Sequence, residues 1–337
     1  MMDWTDRHCR YLHRLLSTHT RLYTEMVTTG ALLHGDVPRH LDFNHEEHPL
    51  ALQLGGSEPA DLAACARLGE QWGYDEINLN CGCPSERVQR GSFGACLMAE
   101  PQLVADGVKA MCDVVSVPVT VKHRIGIDKV ESYDFVRDFV GTVAMAGCSV
   151  FIVHARNAWL KGISPKENRE LPPLRYDTVH RLKRDFPALT IVLNGGIKTA
   201  EQIDEQLTQV DGVMLGREPY HHPWPMADWD RRFFGDAASG IDRDGVEAAM
   251  VAYMERIAAD GEPWSRASRH MMGLRDGQPG ARRWRQVWSD HRLKSWPASA
   301  VSAEARRALA SAAVSAGFDP GQVASTTPNS ASANATA

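Results

Sequence analysis

The chain has 337 residues, 43% of them hydrophobic and 23% charged, with a formal net charge of −5; this balance excludes collagen, coiled-coil arrays and disorder throughout. No apolar run approaches the roughly 18 to 20 residues needed to span a bilayer, and Met1-Met2-Asp3-Trp4-Thr5-Asp6-Arg7 is too polar for a secretory leader. Seven scattered cysteines, at 9, 65, 81, 83, 96, 112 and 148, suit reduced thiols in a cytoplasm better than a disulfide framework.

Short apolar runs rich in β-branched residues occur at 22–27, 50–54, 77–80, 117–122, 150–154, 190–194 and 212–216. Amphipathic stretches lie between them, among them 61–72, 101–115, 132–146 and 199–206. This alternation predicts an α/β fold with a parallel sheet, its strands buried on both faces. Seven runs are one short of a (β/α)8 TIM barrel. Met1-Met2, ahead of Asp3-Trp4-Thr5-Asp6, reads as the tail of the missing first strand, which leads to the expectation of a longer natural product. Strand periodicity stops near 236, so residues 1–236 are expected to form the barrel. Residues 241–318 read as a separate C-terminal helical domain, and 319–337 as a disordered tail unable to build a core.

Polar residues sit at the ends of the apolar runs: Gln53, Asn80, Lys122, His154, Asn194 and the Gly216-Arg217 pair. In a barrel those ends converge on one rim, where active sites of this fold are found. Asn194-Gly195-Gly196 and Gly216-Arg217 follow consecutive strands, a position suited to gripping phosphate through backbone N–H groups. Arg217 could add a charge-assisted clamp. The chain has neither G-x-G-x-x-G nor G-x-x-x-x-G-K-[ST], which disfavours a Rossmann or P-loop site. A lysine buried at a barrel mouth needs an anionic partner or a lowered pKa. For Lys122 a flavin ring, which gathers negative charge near N1 on reduction, would answer that need. Gln53 and Asn194 could hydrogen-bond the ring edge or the ribityl chain.

Cys81-x-Cys83 with Cys96 is a poor chelating pattern, and no metal site is expected. A thiol with the ordinary pKa near 8.5 is mostly protonated at neutral pH and can act as an acid. Cys83 directly follows a strand and is expected on the rim; Cys96, among apolar neighbours, is expected to be packed. Cys9, Cys65, Cys112 and Cys148 fall on helical stretches and read as core. Residues 266–294 carry seven arginines and one lysine against two aspartates, a local balance of +6 that a net-acidic average conceals.

Asp3-Trp4-Thr5-Asp6, Gln53-Leu54-Gly55-Gly56, Asn78-Leu79-Asn80-Cys81-Gly82-Cys83-Pro84-Ser85, Val119-Thr120-Val121-Lys122, Val153-His154-Ala155-Arg156, Asn194-Gly195-Gly196-Ile197 and Gly216-Arg217 together resemble a flavin-dependent tRNA-dihydrouridine synthase. Ser164-Pro165-Lys166-Glu167-Asn168-Arg169-Glu170 and Gly280-Ala281-Arg282-Arg283-Trp284-Arg285 resemble its A subfamily. The resemblance runs in order over about 1–295. It implies FMN, NADPH as reductant, a helical tRNA-binding domain, and reduction of D-loop uridines at tRNA positions 20 and 20a to 5,6-dihydrouridine. It also implies Cys83 as proton donor, and FMN contacts at Met1, Met2, Gln53, Lys122, His154, Asn194, Gly195, Gly196, Gly216 and Arg217. Contacts to tRNA are implied at Asn80, Lys166, Arg169, Arg282 and Arg285. The family's Ala-Pro before the first-strand methionines is missing, and Cys81 has no assigned role.

Ser164-Pro165-x-Glu167 has the form of a capping box with proline at the first helical position, which would turn Lys166 and Arg169 the same way. On a helix through 282–292, Arg282, Arg285 and Arg292 would share one stripe, and Trp284 and Trp288 another facing the core. The expected protein is cytoplasmic and monomeric and does not engage a membrane. The alternative reading is an FMN-dependent dehydrogenase of a free pyrimidine.

Overall fold

The computed structural model describes residues 1–315 other than 131 and 238–239, with the side chains of 87, 90 and 312–315 also set aside. The expected tail at 319–337 lies outside the described residues. Two compact units meet at Val246 and Glu247.

The first unit carries seven strands: β1 (Leu22–Thr28), β2 (Leu50–Gly55), β3 (Glu76–Cys81), β4 (Val119–Arg124), β5 (Val150–His154), β6 (Thr190–Asn194) and β7 (Gly212–Met214). All neighbours are parallel, and the sheet order equals the chain order. Right-handed crossovers in constant sequential order keep every connection on one face, so the sheet curls with its other face inward. This is a TIM-barrel wall of seven strands. The helices of eight or more residues in this unit are α1 (Arg7–Leu16), α2 (Pro59–Trp72), α3 (Pro101–Cys112), α4 (Tyr133–Met145), α5 (Tyr176–Asp185) and α6 (Ala200–Leu207). The expected strand at Met1-Met2 is not formed. The chain turns at once, with Trp4 N and Thr5 N both donating to Met1 O, and Asp6 caps α1 by accepting from His8 N and Cys9 N.

Alternation along each strand divides the residues between two environments. Leu52, Ile77, Leu79, Val121, Phe151, Val153, Ile191 and Leu193 are fully buried in the outward row, each adding about 1.5 to 3 kcal/mol by leaving water. Helix α2 approaches this row so closely that a Cβ at Gly69 would lie 2.7 Å from both Ile77 Cδ1 and Leu52 Cδ2, so glycine is required there despite its cost of about 1 kcal/mol in a helix. His123 also faces outward, its ring 5.1 Å from Phe139 of α4; burial pushes its pKa down to about 4. The inward row is mostly polar, with Gln53, Glu76, Asn78, Asn80, Thr120, Lys122, Arg124, His154 and Asn194 alongside Ala51, Ile152 and Val192.

The second unit contains most of α7 (Arg243–Ala259), then α8 (Ala281–Trp288) and α9 (Ala298–Ser315). Met250, Tyr253, Met254, Trp264, Met271, Trp284, Trp288 and Val301 are buried, so the paired tryptophans face the core as expected. Within it, buried Glu247 accepts from Arg275 Nε at 3.0 Å and from Trp284 Nε1 and Ser302 Oγ, both at 3.1 Å. Helix α8 stops at Trp288, because Asp290 caps a new turn by accepting from Arg292 N. Arg292 therefore does not continue the Arg282–Arg285 stripe. Among the described residues no helix is long and apolar enough to cross a membrane.

Candidate active site

The sheet register brings the polar strand ends to one rim. Asn80 lies opposite Lys122, and His154 opposite Asn194, in adjacent strands. Lys122 Nζ donates to Asn194 Oδ1 at 3.2 Å, and Asn194 Nδ2 donates to Met214 O at 2.8 Å. Asn80 Nδ2 donates to Gln53 Oε1 at 2.8 Å, while its own Oδ1 accepts from Gly82 N and Cys83 N, both at 3.0 Å. That pair of backbone bonds shapes the loop after β3 and presents the half-buried Cys83 on the rim. Cys83 Sγ meets Ser85 Oγ at 3.6 Å. Gln89 Nε2 ties the same loop to the segment after β5, donating to Pro84 O and Leu160 O.

The interior is strongly cationic. Lys122 retains some solvent contact but has protein on all sides; burial, helped by the Arg124 guanidinium, lowers its pKa to about 8. Among the described residues Lys122 has no carboxylate partner. Burial also drives His154 well below the usual imidazole range, and the charges acting on it, from Arg124, Lys122, Arg156 and Arg217, are all positive. It is therefore a neutral imidazole. Gly195 and Gly196 have φ of 116° and 76°. A Cβ on Gly195 would stand 2.6 Å from the His154 ring, and one on Gly196 2.5 Å from Leu174. This bare backbone turn lies near Lys122 and Arg124, neither paired with a carboxylate among the described residues, an arrangement open to an anionic group.

Other expected residues are placed less simply. Arg217 pairs with Glu170 at 2.7 Å. Met1 reaches Gly216, where a Cβ would be 3.4 Å from its Sδ; its buried amino group donates to Thr5 Oγ1 at 2.6 Å and is lowered to about 6 by desolvation. Met2 is 57% exposed. Ser164 and Glu167 make the reciprocal bonds of a capping box, Ser164 N and Oγ donating to Glu167 Oε2 and Glu167 N to Ser164 Oγ. The turn it caps is a short 3-10 helix, Glu167–Arg169, with Lys166 and Arg169 exposed on the segment after β5. Arg282 and Arg285 lie on α8 of the second unit; Arg282 is exposed, and Arg285 pairs with Asp276.

Among the remaining cysteines, Cys96 is half-buried with its S–H on Phe93 O at 3.0 Å. Cys9 and Cys65 are buried in helices as expected. Cys112 is half-exposed at the end of α3, and Cys148 is buried in the loop before β5 instead of in a helix. Arg124, not among the expected site residues, also serves the rim: its Nε donates to Gly82 O at 3.1 Å and its Nη1 to Asn168 O at 2.9 Å. Its place two residues after Lys122, on the same face, is the signal that could have found it. Away from the rim, His19 Nε2 meets Asp236 at 2.9 Å beside Asp230, whose carboxylate is spent on Ser17 and Thr18.

The sequence pattern described as dihydrouridine synthase (Dus) matches residues 1–310. A curated relative from Pseudomonas syringae pv. tomato is 62% identical over 289 residues, 86% of each chain, and is named tRNA-dihydrouridine(20/20a) synthase. Relatives of the same name from Salmonella typhi and Escherichia coli K12 are 57% identical over 92% of this chain and 93% of theirs, and 58% over 88% and 86%. A solved 2-naphthoyl-CoA reductase complex superposes with a TM-score of 0.52 over 67% of this chain and 46% of its own, at 10% identity, a likeness of fold alone. With its cationic rim, its thiol loop and the family pattern spanning both units, the chain belongs to the dihydrouridine synthase family.

Proposed function

We propose that this enzyme reduces uridine to 5,6-dihydrouridine at positions 20 and 20a of the tRNA D-loop, using FMN and NADPH. The gathering of Gln53, Asn80, Cys83, Lys122, His154 and Asn194 on one polar rim, beside a glycine turn and a lysine with no carboxylate partner among the described residues, carries this reading. The names of the relatives add the substrate. FMN, when bound, supplies the hydride for C6 of uracil and is recharged by NADPH.

The residues present fit that cofactor. Backbone N–H groups at Gly195, Gly196, Gly216 and Arg217 would hold its phosphate. The Lys122 ammonium would face the ring's electron-rich edge, with Gln53, Asn194 and neutral His154 hydrogen-bonding around it and Met1 and Met2 closing the first-strand side. Cys83 Sγ delivers the proton to C5 of uracil, a donor seated by the Asn80 bonds to its loop. The target base must leave its stack to reach this rim. Asn80, Lys166 and Arg169 would hold the extruded nucleotide, and Arg282 and Arg285 the phosphate backbone. In this division of labour residues 1–236 form the catalytic domain and 241–318 the tRNA-binding domain of a cytoplasmic monomer.

The test incubates purified protein with NADPH and unmodified tRNA, digests the tRNA, and reads dihydrouridine by position with mass spectrometry. Product at 20 and 20a is expected. A protein that binds flavin and oxidises NADPH yet leaves tRNA unchanged would redirect the assignment to a free pyrimidine.

A further inference from the structure

We infer that Glu76, at the opposite end of β3 from the rim, is a positioning residue that fixes the amide orientations of Asn80 and Gln53, and so the seating of the Cys83 loop, through a one-way chain of hydrogen bonds. Four residues of strand separate Glu76 from Asn80, about 13 Å at the usual rise. The chain does not run along β3 but crosses strands. Asn78 lies in register with Gln53 of β2 on one side and Thr120 of β4 on the other.

The links are continuous. Gly82 N and Cys83 N donate to Asn80 Oδ1, Asn80 Nδ2 to Gln53 Oε1 at 2.8 Å, and Gln53 Nε2 to Asn78 Oδ1 at 2.8 Å. Asn78 Nδ2 then donates to Thr120 Oγ1 at 2.8 Å, and Thr120 Oγ1 to Glu76 Oε1 at 2.6 Å. Every donor points toward Glu76. An amide can ordinarily be turned over with little loss. Here the two ends forbid it, because backbone N–H groups only donate and an ionised carboxylate only accepts. Arg21 Nη1 at 2.8 Å and Tyr23 Oη at 3.0 Å hold Glu76 in that acceptor role. Asn78 and Thr120 are fully buried, so no solvent can repair a reversed link.

If the terminal acceptor could donate, Thr120 would be free to reverse, followed by Asn78, Gln53 and Asn80. The mismatch would then fall on the loop, with an Asn80 N–H facing the N–H groups of Gly82 and Cys83. The inference rests on the reading of Gln53 and Cys83 given above. It adds that their orientation is set from the bottom of the barrel, through residues that touch neither cofactor nor substrate.

Three variants of the full chain test it. Thr120→Val leaves Glu76 with Arg21 and Tyr23 but cuts the chain. Glu76→Gln keeps the shape and makes the end ambiguous. Tyr23→Phe removes a bond to Glu76 that lies off the chain. The first readout, independent of flavin, is iodoacetamide alkylation of Cys83 against Cys96 within the same molecules, by peptide mass spectrometry. Loss of the loop's anchor should speed Cys83 labelling by roughly threefold or more in Thr120→Val and Glu76→Gln, no further when those two substitutions are combined, and not at all in Tyr23→Phe. The second readout is turnover on tRNA, where kcat should fall by about tenfold with KM for tRNA within about twofold. Unchanged labelling in Thr120→Val, or an equal change in Tyr23→Phe, would overturn the inference, since Glu76 would then be a plain tie between strands. If the wild type reduces no tRNA while the labelling pattern holds, the functional reading fails and the relay stands; an active wild type with flat labelling gives the reverse.

Discussion

Cys83 and Cys96 lie thirteen residues apart and differ in what their protons already do. The Cys96 S–H is committed to the Phe93 carbonyl at 3.0 Å, and burial raises its pKa; Cys83 has a long contact to Ser85 and a place on the rim. Cys83→Ala is expected to bind FMN and tRNA but lose at least about 100-fold in dihydrouridine formation, the usual scale for a positioned proton donor. Cys96→Ala should stay near wild type. Equal losses in both, measured under single-turnover conditions, would remove Cys83 from that role. Lys122 permits a pH argument. Its pKa is about 8 in the folded protein against the ordinary 10.5 of an unfolded chain. Between those values the unfolded chain holds a proton that the folded one lacks, so stability of the flavin-free protein should rise as pH goes from about 8 to 10.5. Lys122→Met should stabilise the flavin-free protein at pH 7 by something on the order of 2 kcal/mol and sharply weaken FMN binding. Wild-type affinity for FMN should itself decline as pH climbs past about 8. Denaturant midpoints and flavin fluorescence titrations across pH measure both, and a pH-independent affinity would separate Lys122 from the cofactor.

At the scale of elements, the parallel strands and helices α2, α3, α4 and α6 were legible because their apolar periodicity serves one buried face. Helix α1 was not. It buries Arg10 and Arg14 as well as Leu12 and Leu16, and those arginines are satisfied far along the chain, Arg10 by Glu47 and Arg14 by carbonyls of Ser17, Thr20 and Glu47. A polar residue buried by a remote partner leaves no mark on local periodicity. The same limit hid the inner column: Gln53 and Asn80 stand out as strand ends, whereas Glu76, Asn78 and Thr120 gain meaning only from register, which no single strand encodes. In α8 the helix was expected to run to 292 and instead ends at Trp288, leaving Arg282 exposed and Arg285 bound to Asp276. That difference orders their effects. Arg282→Ala should lower the slope of log affinity for tRNA against log salt by about 0.7 to 0.9, one released counterion, and Arg285→Ala by less because it must first give up Asp276. Filter binding between about 50 and 200 mM salt reads this; three equal slopes would take α8 off the RNA.

For the whole molecule, the two compact units solve burial in different ways. The helical unit closes on tryptophans and methionines around a buried ion pair, Glu247 with Arg275. The barrel unit buries most of its apolar residues between sheet and helices and leaves the concave side of the sheet mostly polar. A substitution in the outward row, at Leu52 or Ile77, meets close packing and is paid in stability. At the rim end of the inward row, at Gln53, Lys122 or Asn194, a change of similar size alters what the rim can hold and leaves the outward packing in place, whereas buried Glu76, Asn78 and Thr120 are costly to change as well. Selection can therefore act on the two rows almost separately. A lineage could rewrite the concave side for a new nucleotide one residue at a time, without first passing through an unfolded ancestor.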